Sequence, residues 1–158
     1  MSQSAPKVWQ DPWHFMAFGH GSGLAPIAPG TVGSAVGLIY YLIFYALGWP
    51  AYICLTLLAT LFGIWLCGRV SEDLGVHDHG GIVWDEIVGI LLTFMWVEVS
   101  ISNIIVGFIL FRIFDIVKPW PIKVIDKSVK GGLGIMLDDV LAAVPAWLCL
   151  QLYIIYLS

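Results

Sequence analysis

Charge is what this sequence has least of. Only 11% of its 158 residues are Asp, Glu, Lys or Arg, whereas an ordinary soluble domain carries roughly 25%. Between Asp11 and Arg69 lie 57 residues without a formal charge. A disordered chain needs the opposite composition, so disorder is excluded. Seven Lys and Arg against eleven acids leave a net charge of −4 and no basic face for DNA or RNA. The chain has three cysteines and no Cys-x-x-Cys pair, which excludes a disulfide-rich scaffold. Cys54, Cys67 and Cys149 each sit in an apolar run and read as small buried hydrophobes. Lys7 and Asp11 bracket no apolar core, so the pattern of a signal peptide is also missing. What abounds instead is apolar: 59% of residues are hydrophobic and the mean hydropathy is +0.91. This is the composition of a membrane protein, and the length suits one domain over 1–158.

The apolar residues fall in runs. Those at 32–47 and 51–67, separated by Gly48-Trp49-Pro50, read as a transmembrane hairpin, because a hydrocarbon core about 30 Å thick needs ~20 residues of helix. A second pair, 87–97 and 104–117, flanks a polar turn at 98–103. Eleven residues of helix rise only about 16 Å. The first member of that pair reaches spanning length only by starting near Ile82, which draws Asp85 and Glu86 into its first turns. A last span is expected at 140–157, kinked by Pro145. The expectation is an all-α, polytopic helical bundle of about five membrane helices. Residues 1–18, with Trp9, Trp13, Phe15, Met16 and Phe18, read as an arm along the interface.

Lys118, Lys123, Lys127 and Lys130 make 118–139 the most basic loop, which the positive-inside rule places in the cytoplasm. Five spans then put the N-terminus, 69–86 and 112–139 on that one side. Most of the 18 charged residues crowd into the last two segments. A transporter more often sets its polar residues near the midplane, with access from both sides.

Four stretches carry the chemistry. The first, Gly19-His20-Gly21-Ser22-Gly23-Leu24-Ala25-Pro26-Ile27-Ala28-Pro29-Gly30-Thr31-Val32-Gly33-Ser34, is neither a Walker A loop nor a G-x-G-x-x-G fingerprint. Its backbone at Gly30, with the hydroxyls of Thr31 and Ser34, offers a place for an anion. The bland alternative is a connector whose glycines only permit tight packing. The second runs from Glu72 and Asp73 through His77, Asp78 and His79 to Asp85 and Glu86. N-capping would need a single acid and gives no reason for Asp78. Carboxylates without thiolates favour a hard cation such as Mg²⁺ over zinc, with Asp73, His77 and His79 in supporting places.

The third stretch spaces Arg112, Asp115 and Lys118 at i, i+3 and i+6. The plain reading is an intrahelical ion pair beside a snorkelling lysine. The functional one makes Asp115 a metal ligand, with Arg112 and Lys118 neutralising a phosphate. The fourth, Lys130-Gly131-Gly132-Leu133-Gly134-Ile135-Met136-Leu137-Asp138-Asp139, echoes the second, with an acidic pair following glycines and three apolar residues.

Two carboxylate pairs at one face repel unless a divalent cation or protonation relieves them. A metal there has a chemical use, since it polarises a phosphoryl group and acidifies water. Acids for a cation, bases and helix ends for a phosphate, and a position level with lipid headgroups point to a phosphatase of a phosphorylated lipid. An ion or proton carrier using the clustered acids is the alternative, but the first two spans carry no ionisable acid or base for a path. A membrane scaffold leaves four glycine-plus-acid motifs without a purpose.

The stretches GHGSGLAPIAPGTVGS (19–34), DLGVHDHGGIVWDE (73–86), FRIFDIVKPWP (111–121) and GGLGIMLDD (131–139) closely resemble the phosphatidylglycerophosphatase A family, in its order and approximate spacing. The resemblance implies Mg²⁺-dependent conversion of phosphatidylglycerophosphate to phosphatidylglycerol at the bacterial inner membrane, by an all-helical protein whose active site faces the cytoplasm. It carries over Asp78, Asp85, Glu86, Asp115, Asp138 and Asp139 as the acidic, metal-holding set. Arg112 and Lys118 lie nearby. The expected route is metal-assisted attack of water, with Asp85 or Asp138 as proton acceptor and Glu86 beside them. A covalent aspartyl-phosphate is the other route, which rapid-quench labelling distinguishes.

Overall fold

A computed structural model describes residues 5–76, 79–120 and 122–157. Among them every regular element is a helix. They are α1 (Pro12–Ala17), a 3-10 helix (Gly19–Leu24), α2 (Pro29–Ala46), α3 (Trp49–Leu74), α4 (Trp84–Thr93), α5 (Ile101–Val117), α6 (Ile122–Ser128) and α7 (Gly131–Leu157).

Local sequence accounts for the ends. The Asp11 carboxylate accepts from Trp13 N at 2.8 Å and caps α1. Gly48, at φ 85°, turns the chain between α2 and α3, and Pro50 falls in the first turn of α3, where it has no amide hydrogen to lose. Gly75 closes α3 in the left-handed conformation, and Ser100 caps α5 by accepting from Asn103 N at 3.1 Å. Lys118 ends α5, just ahead of Pro119.

Three helices, α2, α3 and α7, are long and apolar enough to cross a membrane. Their outward positions support that, with Leu42, Leu57, Leu61, Leu148 and Leu152 all exposed. The expected number was about five. The 17-residue α5 rises about 25 Å. With ten residues, α4 rises only about 15 Å and cannot cross alone. It is instead the hub of the bundle, packed against α2, α3, α5 and α7.

The chain leaves α4 at Thr93 while still inside the bundle. A helix end there leaves carbonyls that no lipid can satisfy. Side chains far away in sequence meet them. Tyr52 Oη donates to Leu91 O at 2.6 Å, Trp147 Nε1 to Met95 O at 2.8 Å and Tyr41 Oη to Val97 O at 3.0 Å. Tyr41, Tyr52 and Phe94 are fully buried, so the capping is dry.

Pro145 lies within α7, which continues through it to Leu157. The N-terminal segment, expected along the interface, is folded onto the bundle in part. Val8, His14, Ala17 and Phe18 are buried while Trp9 stays exposed. Trp13 meets Trp65 edge-on at 4.9 Å, and the Arg69 guanidinium sits over both rings.

Candidate active site

Four of the acids expected at the site come from the first turn of α4 and the first third of α7. Asp85 and Glu86 open α4, where carboxylates suit the positive end of the helix dipole. Asp138 and Asp139 were expected at a helix start too. However, α7 begins at Gly131, so they stand about two turns, or ~11 Å, along it. The dipole of α7 therefore contributes little there, because the effect fades beyond the first turn. Close packing sets that depth. A Cβ at Gly132 would overlap Ile64 O, so the first turn of α7 runs backbone to backbone against α3.

Asp85, Glu86 and Asp139 come together, each offering an oxygen within 4.8 Å of the others. Asp85 and Asp139 are buried and Glu86 is nearly so. One oxygen of each, Asp85 Oδ1, Glu86 Oε2 and Asp139 Oδ2, is buried without a hydrogen-bond partner among the described residues. Buried polar atoms are ordinarily satisfied, and an unpartnered carboxylate oxygen on each of three clustered acids is a deficit of positive charge. The donor set is hard oxygen, the kind that suits Mg²⁺ or a similar divalent ion.

Basic groups rim the cluster. Arg112 Nη1 lies 3.9 Å from Glu86 Oε1 and 2.5 Å from Asp115 Oδ2, and it donates to Ser34 Oγ at 3.3 Å. Asp115 is buried beside Glu86 and Asp139 and completes the acidic wall. Lys118 pairs with Asp138, so Asp138 faces this lysine rather than joining the triad.

The glycine-rich stretch brings Gly30, Thr31 and Ser34 to the same place. Ser34 donates to Gly30 O at 2.8 Å while receiving Arg112. A Cβ on Gly30 would overlap Glu86 Oε1, so only glycine lets α2 approach this carboxylate. Other glycines of the stretch serve packing, as the bland reading held. Gly23 abuts Gly81 O, and Gly33 abuts Val83.

Of the supporting residues, Asp73 faces His14 Nε2 at 3.8 Å and so ties α3 to α1. His79 Nδ1 accepts from Gly81 N at 3.1 Å, shaping the turn before α4. His77 and Asp78 lie outside the described residues. Two contributors escaped the sequence reading. Gly89, one turn past Asp85, leaves room for the Phe111 ring and brings α4 within reach of the Asp139 Cβ. Its small size amid Ile87, Val88, Ile90 and Leu91 was the available signal. Trp84 Nε1 donates to Ala59 O at 3.0 Å and pins the start of α4 to α3, which nothing in the sequence marks.

Comparison with known proteins places the chain in a family. A family model described as Phosphatidylglycerophosphatase A matches residues 15–154, a range holding every described acid and base of the site. Phosphatidylglycerophosphatase A of Escherichia coli is 44% identical over 135 residues, covering 85% of this chain and 78% of that protein. The protein of the same name from Haemophilus influenzae is 46% identical over 138 residues, covering 86% and 85%. A Bacteroides thetaiotaomicron protein, provisionally named a phosphatidylinositol-3-phosphatase, is 38% identical over 139 residues, covering 82% and 86%. No solved structure matches. With a family model spanning nearly the whole chain and two relatives above 40% identity, the chain belongs to the phosphatidylglycerophosphatase A family.

Proposed function

We propose that this protein hydrolyses the terminal phosphate monoester of phosphatidylglycerophosphate, giving phosphatidylglycerol and phosphate, with Mg²⁺ held by Asp85, Glu86 and Asp139. The observation that carries the reading is the set of three orphan oxygens beside an arginine. Buried acids alone would also suit a proton path. An Arg112 guanidinium within 3.9 Å of the cluster adds the element a phosphate needs and a cation path does not. The substrate follows the names of the relatives at 44% and 46% identity.

When bound, a divalent ion supplies positive charge to the phosphoryl oxygens and makes water more acidic at neutral pH. The rest falls to the chain. Arg112 and Lys118 hold the phosphate, and Gly30, Thr31 and Ser34 place the start of α2 against it. A water aligned by the acidic wall attacks phosphorus and gives a proton to Asp85, and that proton passes to the glycerol oxygen as its bond to phosphorus breaks. Asp85 is the better acceptor because it stands within the cluster, whereas Asp138 faces Lys118. Asp115 holds the Arg112 side chain in place.

The topology follows from the same residues. We place the site on the cytoplasmic side of the bacterial inner membrane. There α2, α3, α5 and α7 cross, and α4 with its non-helical continuation makes the fifth passage. The test is phosphate release by purified protein in detergent, with and without Mg²⁺ and EDTA, a phosphatidylinositol phosphate serving as comparison substrate. Release that needs Mg²⁺, ends with EDTA and favours phosphatidylglycerophosphate is expected. Absence of metal-dependent release refutes the reading.

A further inference from the structure

Apolar grooves open on the sides of the bundle, three of them along the long helices among the described residues. One, against Met95, Val144 and Trp147, lies beyond the end of α4; another, against Phe44, Leu58 and Phe62, separates α2 from α3. Neither is lined by an acid or a base. The third lies between α2 and α5, has a volume of about 340 Å³ and is lined by Thr31, Phe108, Ile109, Arg112, Ile113 and Ile116, among others. It shares a residue with the candidate site. The Arg112 that forms part of this wall lies 3.9 Å from Glu86.

We propose that the α2–α5 groove is the lateral entry of the site and seats an acyl chain of the lipid phosphate whose headgroup lies at the carboxylate cluster. The inference rests on the lipid-phosphatase reading above and extends it to how the substrate is held.

The first argument is continuity. From Ile116 to Phe108 the groove follows α5 for more than two turns, about 12 Å of rise. It begins near the Lys118 end and descends past Arg112 into the apolar half of the helix. That is the path of a phospholipid whose phosphate sits at headgroup level. The second is an unmet donor. Arg112 Nε is buried without a partner among the described residues, although Nη1 is engaged by Asp115 and Ser34. A small turn of this side chain, which lines the groove, would offer that N–H to an ester or phosphate oxygen of a lipid. The third is access. Ile109, Ile113 and Ile116 are each about half exposed or more, so the groove opens sideways toward the bilayer. Contacts between α2 and α5 are sparse, which leaves the seam open.

Filling the groove tests it. Ile109→Trp and Ile113→Trp place a ring where the acyl chain would lie, at side chains already about half exposed. The measured quantity is the ratio of kcat/KM for dioleoyl to that for dihexanoyl phosphatidylglycerophosphate. Lost contact with several methylenes lowers that ratio about tenfold or more in both variants. Val144→Trp, in the groove beyond α4, leaves it unchanged. A ratio equal to wild type in both α5 variants overturns the proposal, and so does an equal fall in Val144→Trp. A second measurement uses the wild-type protein, with a phosphatidylglycerophosphate bearing a diazirine in one acyl chain. Labelling at 108–117, displaced by unlabelled substrate, is expected. Labelling at 140–147 instead, or equal labelling of 108–117 by a diazirine phosphatidylcholine, overturns it. If wild type releases no phosphate from either substrate, the lipid-phosphatase reading has failed, and the labelling pattern still decides the groove.

Discussion

Carboxylates at this site do different work according to what each one touches. Asp85 and Asp139 keep buried oxygens without a partner among the described residues, which is why we assign their charge to a cation in the proposed function. Changing either to Asn keeps the volume and removes the charge. Asp85→Asn and Asp139→Asn are expected to lower kcat by at least about 10²–10³-fold, the scale of losing one positioned electrostatic group. Expression should stay near wild type and unfolding without Mg²⁺ should be no easier than in wild type, because a repelled buried charge is gone; phosphate-release assays on the folded variants check the loss of turnover. Asp138 is a different case, because Lys118 faces it. Lys118→Met takes from the buried Asp138 the ammonium it faces, and the unfolding midpoint in detergent should fall. Adding Asp138→Leu to that variant should recover most of the stability while activity remains lost. A double-mutant cycle by chemical unfolding reads the pair directly. Gly30→Ala is the steric counterpart. Its methyl would overlap the Glu86 carboxylate, so turnover should fall with little change in stability. The acid-rich and arginine-bearing stretches were legible as chemistry because charge is so scarce in this chain. Which acid meets which base was not legible. Adjacent residues such as Asp138 and Asp139 point about 100° apart on a helix, and only tertiary packing decides what each one faces.

Among the elements, the hairpin was readable and the central helix was not. Apolar runs at 32–47 and 51–67 became α2, Pro29–Ala46, and α3, Trp49–Leu74, because uncharged length, a glycine turn and a proline are local signals. By contrast, α4 stops at Thr93 although apolar sequence continues to Val97. Its stop is written elsewhere, in Tyr41, Tyr52 and Trp147, whose hydroxyls and indole satisfy Val97, Leu91 and Met95 carbonyls. No window around α4 contains that information. The consequence is testable in one atom. Tyr52→Phe removes the donor to Leu91 O and leaves a buried carbonyl unpaired, which costs about 1–3 kcal/mol. Unfolding in detergent should shift by that amount. The turnover of still-folded protein should hold, because Leu91 lies five residues beyond Glu86, more than a turn along α4 from the acids.

At the scale of the whole molecule, a short helix at the hub explains how an apolar bundle tolerates buried acids. With α4 ending inside the bundle, its start lies below the ends of its neighbours, shielded by α2, α3, α5 and α7. Shielding strengthens every charge interaction there and makes the three orphan oxygens costly when nothing offsets them. The folded protein therefore carries a stability deficit that a divalent ion would relieve, and α4 and α7 would be held together by it. Ligand that binds only the folded state at 100 times its dissociation constant adds about 2.7 kcal/mol. Mg²⁺ is accordingly expected to raise the unfolding temperature of the wild-type protein in detergent saturably, with EDTA reversing the rise. Asp85→Asn and Asp139→Asn should lose most of that shift, each through a different helix. Ile113→Trp should keep it in full, since that side chain lies outside the carboxylate cluster. A shift that survives in both Asn variants would mean the ion binds elsewhere, and the three carboxylates would then need another source of positive charge.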